Sequence, residues 1–164
     1  MALNPQIVEI EQKHFLGMSL KMSLIQNRTA ELWRSFMPRR TEIKSINNTE
    51  FYSLQVYPLN YFAAFNPNNE FEKWALQEVD KDHELVEGFT SFTLDPGLYA
   101  VFHYKGLSTN TQIFQDIFSK WLPASGYTLD DRPHFEVMGE KYKNNDEESE
   151  EEIWIPIKMQ GQEG

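Results

Sequence analysis

From Leu16 to Met22 the chain alternates Leu16, Met18, Leu20 and Met22 with small or polar neighbours, the period of two expected of a half-buried strand. The stretch from Ile7 to Ser23 therefore reads as strand, with those four residues facing a core. Asn27 and Thr29 then offer capping side chains to a helix carrying Leu32, Trp33 and Phe36, and Pro38 is expected to stop it. Alternation returns twice, with Tyr52, Leu54 and Val56 in one strand and Phe71 to Val79 in the next. Between them Pro58 to Glu70 is long for a hairpin and carries Tyr61, Phe62 and Phe65, which suggests a short packed helix or a functional loop.

The second half runs in the same order. Gly97 to Tyr104 reads as a strand entered through the Asp95-Pro96-Gly97 turn. Thr109 with Gln112 forms a capping-box pattern ahead of Ile113, Phe114, Ile117, Phe118 and Trp121, an amphipathic stripe ended by Pro123 and Gly126. Two more alternating runs follow, Phe135 to Met138 and Glu152 to Ile157. The repeated order of strand, helix, strand, strand predicts an α+β domain. It consists of a duplicated βαββ unit with a pseudo-two-fold, its antiparallel sheet covered on one face by two helices.

Composition bounds what such a domain does. The 164 residues suit one domain, read here as spanning 1–164, with enough apolar content for a full core. Cysteine is absent, so there is no disulfide framework, thiol nucleophile or thiolate metal site, and a cytoplasmic setting is expected. No signal peptide is visible, and the apolar runs fall far short of the ~20 residues that cross a bilayer. The net charge of −10 opposes direct nucleic-acid binding, and half of it lies between Glu140 and Glu152. Most of that run reads as a solvated loop, but Glu152 borders the apolar run Ile153 to Ile157 and so belongs to a strand.

Three stretches carry a family resemblance: Trp121 to Tyr127, Asp130 to Glu140, and Glu151 to Ile157. In sequence and spacing they resemble the C-terminal half of GyrI-like effector-binding domains, and Gly97 to Gly106 is similar as well. The resemblance implies the duplicated βαββ fold of the ligand domains of AraC-type and MerR-type regulators, with a groove for bulky small molecules on the helix-free face of the sheet. Met138 stands where the family often has tyrosine, removing one hydroxyl. No helix-turn-helix segment is visible, so a stand-alone ligand domain is expected, with a possible protein partner unknown.

Alternation places Ile153, Ile155 and Ile157 on one face of the last strand and Glu152 and Trp154 on the other. Glu136 and Met138 are read as opposite Phe135 and Val137, so that Glu136 and Glu152 share the groove face. There two partly desolvated carboxylates would bind a cation or hold a water for general-base work. Trp154 ranks first among the aromatic candidates for the wall, ahead of Tyr52, Tyr57, Trp74 and Tyr99, whereas Trp33 has a stronger core reading. The expected ligand is a bulky aromatic compound, preferably cationic. Sensing linked to transcription, or sequestration of a drug or toxin, would follow. Some GyrI-like proteins hydrolyse reactive cyclopropane compounds, which makes Glu152 the candidate base of an alternative enzymatic reading. The four histidines show no metal-ligand spacing, and no cofactor motif is present; a haem-binding family shares the fold, but nothing here marks a haem ligand.

Overall fold

The computed structural model describes residues 3–63, 65–107, 110–143 and 146–161. The strands are β1 (Gln6–Ile10), β2 (Lys13–Met22), β3 (Phe51–Val56), β4 (Phe71–Val79), β5 (Thr90–Leu94), β6 (Gly97–Lys105), β7 (Tyr127–Leu129), β8 (His134–Met138) and β9 (Glu150–Met159). They pair antiparallel in the order β1-β6-β9-β8-β3-β4-β2-β5, with β7 added to β9. The expected units are β2-α1-β3-β4, with α1 at Thr29–Phe36, and β6-helix-β8-β9. Each orders its strands first, third, second, and the two second strands, β3 and β8, meet at the centre. The pseudo-two-fold passes through that seam.

Three local expectations change. The first segment is two strands, β1 and β2, that lie far apart in the sheet, and β5 and β7 are additional strands that no alternation had marked. The first α-helix does end ahead of Pro38, at Phe36, whereas Pro123 does not end its helix. Pro38 opens a 3₁₀ turn (Met37–Glu42) directly after α1, and Pro123 opens the last turn of the second helix, positions where the missing N–H is not needed. That second helix is built from α2 (Gln112–Asp116), a π-helical stretch (Ile117–Trp121) that widens the spiral just ahead of Pro123, and α3 (Leu122–Ser125). It stops at Gly126, whose φ of 83° lies in the left-handed region. Thr109 lies outside the described residues; the Gln112 N–H donates to Asn110 Oδ1 at 2.9 Å. No helix among the described residues is long and apolar enough to cross a membrane.

Both helices lie on one face. Leu32 and Phe36 of α1 pack with Leu16 and Ala75, while Ile117 of the second helix packs with Phe102, Ile153, Ile155 and Ile157. One cross-strand row, Met18–Ala75–Ser53–Glu136–Ile153–Phe102, runs through six strands and shows these residues on the same side.

The helix-free face is a second core. Phe15, Leu54, Leu76, Tyr99 and Phe135 are at most 1% exposed there, with Trp74 and Tyr52 beside them. Connectivity explains why. Only Glu11 and Gln12 link β1, first in the sheet order, to β2, seventh; only Asp95 and Pro96 link β5, eighth, to β6, second. Such a link reaches about 11 Å, against roughly 29 Å for six flat strand spacings, so the sheet must curl until its edges approach each other. The concave side closes on its own aromatic side chains.

Candidate functional site

Between the two helices the floor of the cleft consists of the middle strands β3 and β8, flanked by β4 and β9. On the helix side they carry a set of polar residues: Ser53 and Gln55 on β3, His134 and Glu136 on β8, Lys73 and Gln77 on β4, and Glu151 on β9. Ser53, Gln55, Gln77 and His134 are buried. A polar file thus separates the two apolar clusters under the helices. Burying such groups costs free energy unless each finds a partner, so partners are the informative quantity.

Gln55 donates through Nε2 to Ser53 Oγ at 3.2 Å, and Gln77 donates to the Glu50 carbonyl at 3.3 Å. Glu136 is different: its Oε2 is shielded from water and has no hydrogen-bond partner. Burial pushes its carboxyl up from the ordinary range, opposed by the Lys73 ammonium and the Gln55 amide. Glu151 is pushed up to about 7 by burial and then by Glu136, again opposed by Lys73. His134, buried and close to Arg132, is lowered to about 3 and is a neutral imidazole.

Aromatic rings close both ends of the file. Phe51 meets Trp33 of α1 edge-on at 5.5 Å, meets Tyr142 at 6.0 Å, and lies beneath the Arg40 guanidinium at 5.3 Å. At the other end Phe62 lies on a shelf made by Phe118 of the second helix, 5.3 Å away, and His134, 5.2 Å away. Tyr57 stands against His134 at 5.0 Å. A recess of about 170 Å³ opens beside Tyr57, Phe62 and His134. In the Pro58 to Glu70 segment, expected to be a packed helix or a functional loop, residues 58–63 and 65–70 form turns and irregular chain, and Phe62 covers this end.

The expected pairing of Glu136 with Glu152 does not occur. Glu136 lies opposite Ile153 and Val137 opposite Glu152, so the two carboxylates project from opposite faces of the sheet. The physical reason is the phase of β8: Phe135 stacks on Trp154 at 5.1 Å and belongs to the helix-free core, which turns Glu136 and Met138 toward the helices. Met138 is 6% exposed. Tyr52, Trp74 and Tyr99 are core residues of the helix-free face, and Trp154 packs against that core while its Nε1 donates to Glu152 at 3.2 Å. The helix-free groove expected at the outset is therefore filled. What stays open is an acidic recess of about 390 Å³ at the sheet's end, lined from both faces by Glu50, His103, Val137, Glu151 and Glu152 among others. Glu150 there accepts from His103 Nε2 at 2.7 Å.

Missed from the sequence were Glu151, Lys73, Gln55, Ser53 and His134. The charge run places Glu151 in the acidic loop, although it shares its parity with Ile153, Ile155 and Ile157. That parity was the available signal.

Residues 6–157 match the family model described as integron-associated effector binding protein. The transcriptional regulator BrlR of Pseudomonas aeruginosa is 28% identical over 158 residues, covering 94% of this chain and 56% of BrlR. The chain thus spans just over half the length of that curated relative. Among solved structures, SAV2435 bound to tetraphenylphosphonium aligns with a TM-score of 0.71 at 15% identity, covering 95% of this chain and 94% of that one. An integron cassette protein from the mobile metagenome of Vibrio cholerae aligns with a TM-score of 0.59 at 16% identity, covering 94% and 95%. These structural likenesses concern the fold.

Proposed function

The chain belongs to the family of integron-associated effector-binding proteins, and we propose that it binds bulky aromatic organic cations in the cleft between its two helices, with Glu136 as the counter-charge. The observation that carries this reading is the Glu136 carboxylate, desolvated and with an unpartnered oxygen in the middle of the cleft floor. A buried carboxylate in that state costs several kcal/mol, and a cation held against it offsets that cost. Of the recess carboxylates, Glu150 already accepts from His103 and Glu152 from Trp154 Nε1, so a cation beside them would gain only about 1 kcal/mol. Trp33, Phe51, Phe118 and Phe62 supply flat faces for aromatic and cation-π contact. The solved relative bound to tetraphenylphosphonium holds a ligand of this class. With a charge of −10 the chain itself is a poor partner for DNA, so a regulatory role would pass through ligand occupancy, and sequestration of a toxic cation would need nothing more.

The test is a calorimetric titration with tetraphenylphosphonium and with neutral triphenylphosphine oxide. Glu136→Gln should weaken the cation by about 10- to 100-fold and the neutral compound much less. Equal losses for both, or none for either, would overturn the assignment of Glu136.

One observation favours an enzymatic second reading: Glu151, at about 7, has the basicity of a general base near neutral pH. Under it the cleft would orient a water toward a strained or reactive substrate. Catalytic opening of a cyclopropane-containing compound, lost in Glu151→Gln with binding retained, would put this reading first.

A further inference from the structure

Resting on the cleft as the ligand site, we infer that the ligand is an organic monocation that takes the place of a single proton held between Glu136 and Glu151. The placement of the charges leads there. Glu136 on β8 and Glu151 on β9 project from the same face of paired strands, with Glu136 opposite Ile153 and Glu151 two residues along. Across the seam Lys73 projects from β4 on that face, beside Gln55.

Lys73 and Glu151 are equivalent positions of the two halves. Each lies on the third strand of its unit, two residues from the row that contains Ala75, Ser53, Glu136 and Ile153. The duplicated fold has therefore placed a cation and a carboxylate symmetrically about the β3–β8 seam, with Glu136 on the Glu151 side of it.

Arg40 lies over the Phe51 ring at one end of the file, and Glu50, Glu140, Lys141, Glu150 and Glu152 line the recess that Glu151 borders, yet the charges that shift Glu151 are those of Glu136 and Lys73. His134 on β8 is neutral, and burial together with Glu136 keeps the Tyr57 hydroxyl on the chain after β3 protonated. On β6 the Tyr104 hydroxyl is raised by burial and by Glu151, and it donates to the Leu107 carbonyl at 2.8 Å. The helices face the floor with Leu32, Trp33, Ile117 and Phe118, while Asp116 is engaged with Gln112 and Lys120 at the surface.

Two carboxylates and one ammonium in a desolvated cleft carry one uncompensated negative charge. With no ligand present a proton cancels it, since like charges in low dielectric do not both ionise. A bound monocation does the same, and the proton leaves to solvent. A dication would leave the cleft with an unpaired positive charge, and a neutral molecule would leave the proton where it is. The raised position of Glu151, about 7, sets the range in which the exchange is read.

Tetraphenylphosphonium carries no titratable proton, so any proton released on binding comes from the protein. Calorimetry of the whole chain in two buffers of different ionisation enthalpy, from pH 5.5 to 8.5, counts those protons. Close to one proton should be released per ligand at the acid end, falling toward none at pH 8.5. The Kd should improve about tenfold per pH unit at the acid end and level off above the Glu151 range. Glu151→Gln, which leaves Glu136 in place, should abolish the release. A bis-cationic ligand of similar bulk should bind at least about tenfold more weakly than the monocation. Binding with no proton exchange and a flat Kd would overturn this inference alone. Absence of binding at every pH would overturn the site assignment and this inference with it.

Discussion

Ser53 and Glu136 are Cα partners across the β3–β8 seam and occupy equivalent positions in the two halves of the duplicated fold. One half contributes a hydroxyl at the centre of the cleft floor and the other a carboxylate. The duplication supplies the symmetric cleft, and divergence at this pair supplies its charge.

Glu136 and Glu152 provide the sharpest contrast between the two faces. Glu136→Gln should remove on the order of 1 to 3 kcal/mol of affinity for tetraphenylphosphonium. Glu152→Gln, on the opposite side of the sheet, should leave the Kd within about twofold. Fluorescence or calorimetric titration of the two variants side by side measures both. A larger loss for Glu152→Gln would move the site to the acidic recess at the sheet's end.

The contribution of Glu151 to the stability of the ligand-free protein should fall as pH rises from about 4.5 to about 7, because Glu151 keeps a proton in the folded state that the unfolded chain releases. The folded state then binds more protons, so the slope is negative, with an upper limit of about 3 kcal/mol across the window. Chemical denaturation at several pH values should show this component, and Glu151→Gln should remove it.

His134 acts in the opposite sense. Its folded value of about 3 lies below the ordinary 6.5, so the unfolded chain takes up the proton first and stability rises with pH through that interval. Between about 4.5 and 6.5 the two slopes oppose each other. Below that range His134 should dominate as an acid-labile element. Replacement by Gln should flatten the denaturation midpoint against pH between about 3 and 4.5, relative to the parent.

Trp154→Ala should cost about 3 kcal/mol of stability, through loss of the stack on Phe135 and the contact with Tyr99 at 5.9 Å. Cation affinity measured under conditions where the variant is folded should stay close to the parent value. A selective loss of affinity with unchanged stability would return Trp154 to the ligand wall.

Gly17 and Gly126 test two kinds of glycine. A Cβ on Gly17 would lie 1.8 Å from the Ala75 carbonyl oxygen of the neighbouring strand, so Gly17→Ala must separate β2 from β4 and should cost more than about 3 kcal/mol. Around Gly126 nothing lies within 4 Å of such a Cβ, and only its φ of 83° resists substitution, so Gly126→Ala should cost about 1 kcal/mol. Thermal or urea denaturation ranks them.

Alternation and helical spacing were sufficient for the two βαββ units, the core-facing stripe of α1, and the split of β9 into isoleucines on one face and Glu152 and Trp154 on the other. These are local periodicities, set by backbone geometry within a single element, and they are written into the chain. The phase of β8 was not. Phe135, Val137 and Met138 are all apolar, so its four-residue alternation suits either orientation, and only pairing with Trp154 on β9 selects the one that sends Glu136 toward the helices. Nor does any local pattern show that β1 and β2, joined by two residues, lie at opposite ends of the sheet. That long-range pairing curls the sheet, fills the helix-free face with Phe15, Tyr52, Trp74 and Tyr99, and leaves the space between the helices as the cleft. The residue types were legible from the sequence because they depend on near neighbours. Which of them meet was decided by strand register and sheet closure, properties of the whole chain.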